Sequence, residues 1–173
     1  MEYELCIREA EAQDAAALVA FLDLVGQETD FTSLDENGIL MTESEMALFI
    51  EKQATSDNQI TLLALLNDEI AGVLNITAEQ RIRIRHIGDI FLVIQRKFWN
   101  HGLGSILLEE GIEWAKTSGV LRRLQLSVQK RNEVAIHLYS KFGFVTEGLQ
   151  ERGAYLEEGI FLDVYLMGRL IDK

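Results

Sequence analysis

The chain has 173 residues, 48% of them hydrophobic, one cysteine and no proline, which suits one globular domain over residues 1–173 with a sizeable core. Its formal net charge of −12 argues against a nucleic-acid partner, which needs a cationic surface to release counterions; it is compatible with a cationic, amine-bearing partner and with simple solubility. No apolar run is long enough to span a bilayer, the acidic start MEYELCIREAEAQD is unlike a signal peptide, and a lone Cys6 fits a reducing, cytoplasmic setting.

YELCIREA (3–10) alternates apolar and polar residues and predicts a first strand. Asp14 precedes AAALVAFLDLV as an N-cap, and Gly26 is the expected stop of that helix. QETDFTSLDENGIL (27–40) is acidic and aperiodic, and predicts a loop or broken turn. Thr42 with Glu45 forms a capping box for a helix through about Lys52. QITLLALL, NDE and IAGVLNITA predict a hairpin, which RIRIRHIGDIFLVI (81–94) extends as a third strand. Gly104, Leu107, Leu108, Gly111, Ile112 and Ala115 then recur at helical spacing in residues 101–117. LRRLQLSV (121–128) predicts a strand and NEVAIHLYSKF (132–142) a short helix closed by Gly143. Two last strands, GFVTEGLQERG and GIFLDVYLMGRL, are expected on either side of AYLEE. The order β-α-α-β-β-β-α-β-α-β-β is that of an α/β or α+β domain with a mixed sheet. The helical crossover at 101–117 calls for at least one parallel strand pair.

The junction FWNHGLGSILL places two glycines at the mouth of a helix. A helix start carries unpaired N–H groups and a partial positive charge, and glycine admits a bulky anion to the backbone. A phosphate loop of the Walker kind needs a Lys that is absent here, and a dinucleotide fingerprint needs a third Gly where Leu107 stands. An acyl-CoA pyrophosphate site and plain close packing both remain open for two glycines alone.

Together with LSVQKRNEVAIHLYSKFGF (126–144), the junction resembles the GNAT superfamily of N-acetyltransferases, most specifically over residues 90–147. Within it, YSKFGF…EG and the Trp in the glycine turn resemble the bacterial ribosomal-protein, polyamine and amino-acid acetyltransferase branch. The resemblance implies a mixed, mostly antiparallel central sheet flanked by helices. It also implies acetyl-CoA as cosubstrate, with no metal. The backbone of Leu92, Val93 and Ile94 matches the family's splayed strand, which pairs with the pantetheine arm. Gly102-Leu103-Gly104 matches the second half of the family's Gln/Arg-x-x-Gly-x-Gly/Ala signature, and the amides of Trp99, Asn100, His101, Gly102, Leu103 and Gly104 match its pyrophosphate cradle. Trp99 departs from the signature's Gln or Arg, and an indole there packs the turn onto the sheet. Asn132 matches the family's Asn on the pantetheine chain and also reads as a helix N-cap. Tyr139 matches the tyrosine that protonates the leaving CoA thiolate.

Direct attack by a primary amine, of a small molecule or a protein N-terminus, needs a proton acceptor. Asp89 ranks first, ahead of Glu147 and Asp163, because its side chain alternates in phase with Phe91 and Val93. Glu28, Asp30 and Phe31 in 27–34, with Tyr155, Glu157 and Glu158 in 151–159, are the expected acceptor contacts and would favour a cationic amine. His86, His101 and His137 lack metal-ligand spacing with one another or with Cys6. No Ser-His-Asp or Cys-His set suggests an acyl-enzyme. An acyl-CoA-binding domain without catalysis is the alternative. The last strand, apolar on both faces, suggests a homodimer.

Overall fold

In the computed structural model, which describes residues 2–172, seven strands form one sheet and four helices pack on its two faces. Met1 and Lys173, the ends of the predicted domain, lie outside the described residues. The chain runs β1 (Leu5–Glu9), α1 (Ala15–Glu28), α2 (Glu43–Ala54), β2 (Ile60–Leu66), β3 (Glu69–Thr77), β4 (Ile87–Ile94), α3 (Leu103–Thr117), β5 (Arg123–Gln129), α4 (Glu133–Lys141), β6 (Val145–Glu157) and β7 (Ile160–Leu170). The strand order is β1-β2-β3-β4-β5-β7-β6, and every neighbouring pair is antiparallel except β4 with β5. That parallel pair follows from α3, a crossover that returns the chain in the same direction.

Hydropathy along each strand records which faces are covered. β2 is buried throughout, with Leu63 and Leu65 packed under α1 and α2 and Leu62 and Ala64 under α3, so its pattern is a continuous apolar run. β5 alternates instead. Leu124, Leu126 and Val128 enter the core beneath α3 and α4, while Arg123, Gln125, Ser127 and Gln129 point to the opposite face and line a cleft. α3 buries Leu103, Leu107, Leu108, Ile112 and Ala115, each large aliphatic side chain contributing about 1.5–3 kcal/mol.

Four boundaries differ from those the sequence suggests. Helix α1 runs two residues past Gly26. A Cβ at Gly26 would stand 2.3 Å from the Asp35 carbonyl oxygen, so this glycine admits the loop rather than ending the helix. Asp14 does not cap α1. Its carboxylate turns back to accept from Arg8 (2.7 and 2.9 Å) and from the Glu11 amide (2.7 Å), closing a 3₁₀ turn at Ala12–Asp14. RIRIRH forms turns, and β4 begins only at Ile87. Its partner β3 ends at Thr77, while Asn58 Nδ2 binds the carbonyls of Glu79 and Arg85 and fixes the intervening loop; Ile82 is left 82% exposed. AYLE belongs to β6, which accommodates its length through three register shifts, and the hairpin turns at Glu158–Gly159. Among the described residues no helix is long and apolar enough to cross a membrane.

Candidate active site

The parallel pairing of β4 and β5 lasts three rungs, ending at Asp89 opposite Gln125. Beyond it β4 stays on β3 as far as Ile94, while β5 stays on β7 as far as Gln129. The strands therefore part, and a cleft of about 570 Å³ opens between them. The Gln95 amide donates to the Ala71 carbonyl at 2.9 Å. By strand alternation Val93 turns its backbone to β3 as well, while Ile90, Leu92 and Ile94 turn theirs to the open edge. This corrects the expectation that Leu92, Val93 and Ile94 offer their backbone together: Val93 is committed to the sheet, and its side chain is buried under α1 and α2.

The Ile94 carbonyl is occupied. Trp99 Nε1 donates to it at 2.7 Å, and the guanidinium of Arg96 lies 5.5 Å from the centre of the indole. The Trp99 ring, 36% exposed, thus fastens the turn to the strand by a hydrogen bond as well as by packing. Asn100 (φ 65) and Gly102 (φ 79) are both left-handed, so α3 starts at Leu103 and the turn's amides precede its first coil. Nothing lies within 4 Å of a Cβ built on Gly102; backbone conformation alone favours glycine there. At Gly104 a Cβ would lie 3.2 Å from Leu138 Cδ2, so the second glycine lets α4 approach. His101 is exposed in the same turn.

Asn132 caps α4, its Oδ1 accepting from the Ala135 amide at 3.3 Å, and it also lines the cleft. Tyr139, about two turns further along α4, is 8% exposed, lines the cleft and packs edge-on against Phe144. Burial pushes its phenol up to about 12, since the phenolate would lose its hydration; the hydroxyl therefore stays protonated at neutral pH. Asp89, Leu92, Phe31, Asn132 and Tyr139 all share this one cleft.

Other predicted contacts lie elsewhere. The Glu28 carboxylate accepts the Arg96 amide at 2.9 Å, bracing α1 against the turn after β4. Asp30 pairs with Arg131 at 2.6 Å, and its carbonyl accepts Gln129 Nε2 at 2.7 Å. These bonds dock the 29–34 segment over the splay and bring Phe31, with Arg131 4.9 Å from its ring centre, to the cleft wall. Neither carboxylate lines the cleft. Tyr155 packs against Phe161 in the β6–β7 hairpin and, with Glu157 and Glu158, stands outside the cleft. Asp163 accepts the Arg152 amide at 3.2 Å. Glu147 does line it and is held by Arg123, whose guanidinium keeps this carboxyl below the usual range. Residues that sequence inspection passed over, Thr32, Ser33, Arg123, Gln125, Ser127 and Gln150, complete the wall. For those on β5, the polar alternation at 123, 125, 127 and 129 was the signal. No cluster of three potential metal ligands occurs among the described residues.

Residues 28–144 match the model of the acetyltransferase (GNAT) family. An L-amino acid N-acetyltransferase of Escherichia coli K12 is 33% identical over 109 residues, covering 63% of this chain and 67% of the relative. The crystal structure of a GNAT-family acetyltransferase from Streptococcus pneumoniae is 68% identical and covers 98% of this chain and 100% of that one, with a TM-score of 0.96. A phosphinothricin acetyltransferase from Sinorhizobium meliloti in complex with AcCoA shares the fold at 21% identity, with a TM-score of 0.78 over 99% of this chain and 89% of that one. The chain belongs to the acetyltransferase (GNAT) family, enzymes that move an acetyl group from acetyl-CoA to an amine.

Proposed function

We propose that the cleft seats the pantetheine arm of acetyl-CoA along the open edge of β4, with the pyrophosphate on the amides of residues 99–104. The parting of β4 and β5 at Asp89, with the protonated Tyr139 buried in the same cleft, is the observation that carries this reading. Where its N–H and C=O groups are free, as at Leu92, such an edge accepts an extended amide chain as it would another strand. The acceptor is a small primary amine. Its neutral nitrogen attacks the thioester carbonyl, the C–S bond breaks, and Tyr139 gives its proton to the departing thiolate. Asp89, directly or through water, takes the proton that the amine must shed. Asn132 contacts the arm while capping α4.

With Glu28 and Asp30 committed to internal partners and Glu147 held by Arg123, Asp89 is the cleft carboxylate left to favour a cationic amine. Phe31 supplies an apolar wall. The relationship to an L-amino acid N-acetyltransferase makes amino acids the first acceptors to try. We propose a cytoplasmic enzyme, consistent with the exposed thiol of Cys6. We also propose a homodimer, supported by Val145 and Leu170 exposed on β6 and β7. Calorimetric titration with acetyl-CoA, followed by thiol release over amino acids, polyamines and peptides with free N-termini, tests the reading. One site per chain and turnover of at least one small amine are expected. Absence of acetyl-CoA binding would contradict the seat, and binding without turnover of any amine would favour an acyl-CoA-binding module.

A further inference from the structure

The cleft face of β5 carries a feature that the acetyl-transfer reading does not use. Arg123 Nη1 donates to Glu147 Oε2 at 2.9 Å, and Nη2 donates to the other oxygen of the same carboxylate. Glu147 belongs to β6, and β7 lies between the two strands. The pair crosses that strand over Gly168, where a Cβ would stand 2.5 Å from Glu147 Oε1 and 2.8 Å from Arg123 Nη2. A bare backbone at 168 is what gives the bidentate pair its path. The same guanidinium donates through Nε to Gln125 Oε1 at 3.0 Å, and Gln125 Nε2 donates to Asp89 Oδ1 at 2.8 Å.

The direction of this run is fixed by its donors. A guanidinium can only donate, so the Gln125 amide must present its oxygen to Arg123 and its NH₂ to Asp89. Because Asp89 and Gln125 form the last parallel rung, the run ends at the point where the strands part. Glu147, Arg123, Gln125 and Asp89 all line the cleft. An aspartate on the wall of an open cleft would otherwise sample several rotamers, whereas a proton acceptor must stay within hydrogen-bond reach of the amine or its relaying water.

We propose that Gln125 and Arg123 are positioning residues for the acceptor half of the reaction. They hold one oxygen of Asp89, leave the other for the amine proton, and are themselves anchored to β6 by Glu147 across Gly168. The inference rests on the reading of Asp89 as proton acceptor. Steady-state kinetics on Gln125→Leu, Asp89→Asn, the double variant and Gly168→Ala test it. Gln125→Leu lowers kcat about 10- to 100-fold and leaves KM for acetyl-CoA and the melting temperature near wild type. Added to Asp89→Asn, it costs nothing more. Gly168→Ala, which alters neither carboxylate but crowds the Arg123–Glu147 pair from β7, lowers kcat in the same sense. Full kcat in Gln125→Leu, or losses that multiply in the double variant, would overturn the proposal while leaving Asp89 in place. An unchanged kcat in Asp89→Asn would remove the proton-acceptor reading and the proposal with it. If Gly168→Ala fails to fold, the Gln125 and Asp89 variants decide alone.

Discussion

The indole of Trp99 ties the turn before α3 to the exposed edge of β4, and it does so with a single hydrogen bond to Ile94. A phenyl ring would keep most of the packing and the face on which Arg96 rests, but it has no N–H to donate. Trp99→Phe is therefore expected to weaken acetyl-CoA binding by about 10-fold, the equivalent of about 1.4 kcal/mol, with little change in thermal stability; calorimetry measures it. Unaltered affinity would show that the amides of the turn hold their arrangement without this bond. At this scale the sequence was informative about backbone and mute about partners. Gly102 and Gly104 announce a special turn, yet only the fold reveals that one answers a left-handed φ and the other the approach of Leu138. Asp30 beside Phe31 reads as an acidic acceptor site until Arg131, a hundred residues away in the chain, neutralises it.

Elements were legible where one face packs and the other meets water. α2 has its capping box, Thr42 accepting from the Glu45 amide at 3.1 Å and Glu45 from the Thr42 amide at 3.3 Å, and α4 its Asn cap. The hairpin between β2 and β3 turns on Asn67 and Asp68, both left-handed, as short polar turn residues allow. Periodicity misled where no neighbour was present, as at RIRIRH, and where a nearby cation outbid the helix end, as at Asp14. Arg8 holds the Asp14 carboxyl below its ordinary value of 3.8, so the unfolded chain takes up this proton at a higher pH than the folded one. The pair's stabilisation is complete above that ordinary value and disappears as pH falls through the lower, folded one. Wild type should melt about 2–4 °C above Asp14→Asn at about pH 7, the span of about 1 kcal/mol in a chain of this size, and the gap should close as pH falls through the folded carboxyl's own lowered value. A gap that persists in acid would mean that the carboxylate's charge is not its source.

Across the whole molecule, the sheet delivers the site by failing to close. One face of β2, β3 and β4 is sealed by α1 and α2 and the other by α3, while the missing rungs between β4 and β5 leave a slot that reaches Tyr139 on α4. Element order foretold a mixed sheet with a parallel pair, and the resemblance carried by residues 90–147 foretold its family. The ion pair crossing β7 was beyond either, because Arg123, Glu147 and Gly168 meet only through strand order. Acetyl transfer as proposed turns on Tyr139 as the proton donor to the thiolate. Thiol release by Tyr139→Phe at saturating acetyl-CoA and amine, with acetyl-CoA affinity measured beside it, tests this most directly. The prediction is a fall in kcat of about 10²–10⁴-fold at nearly unchanged affinity; a variant that turns over at the wild-type rate would contradict it.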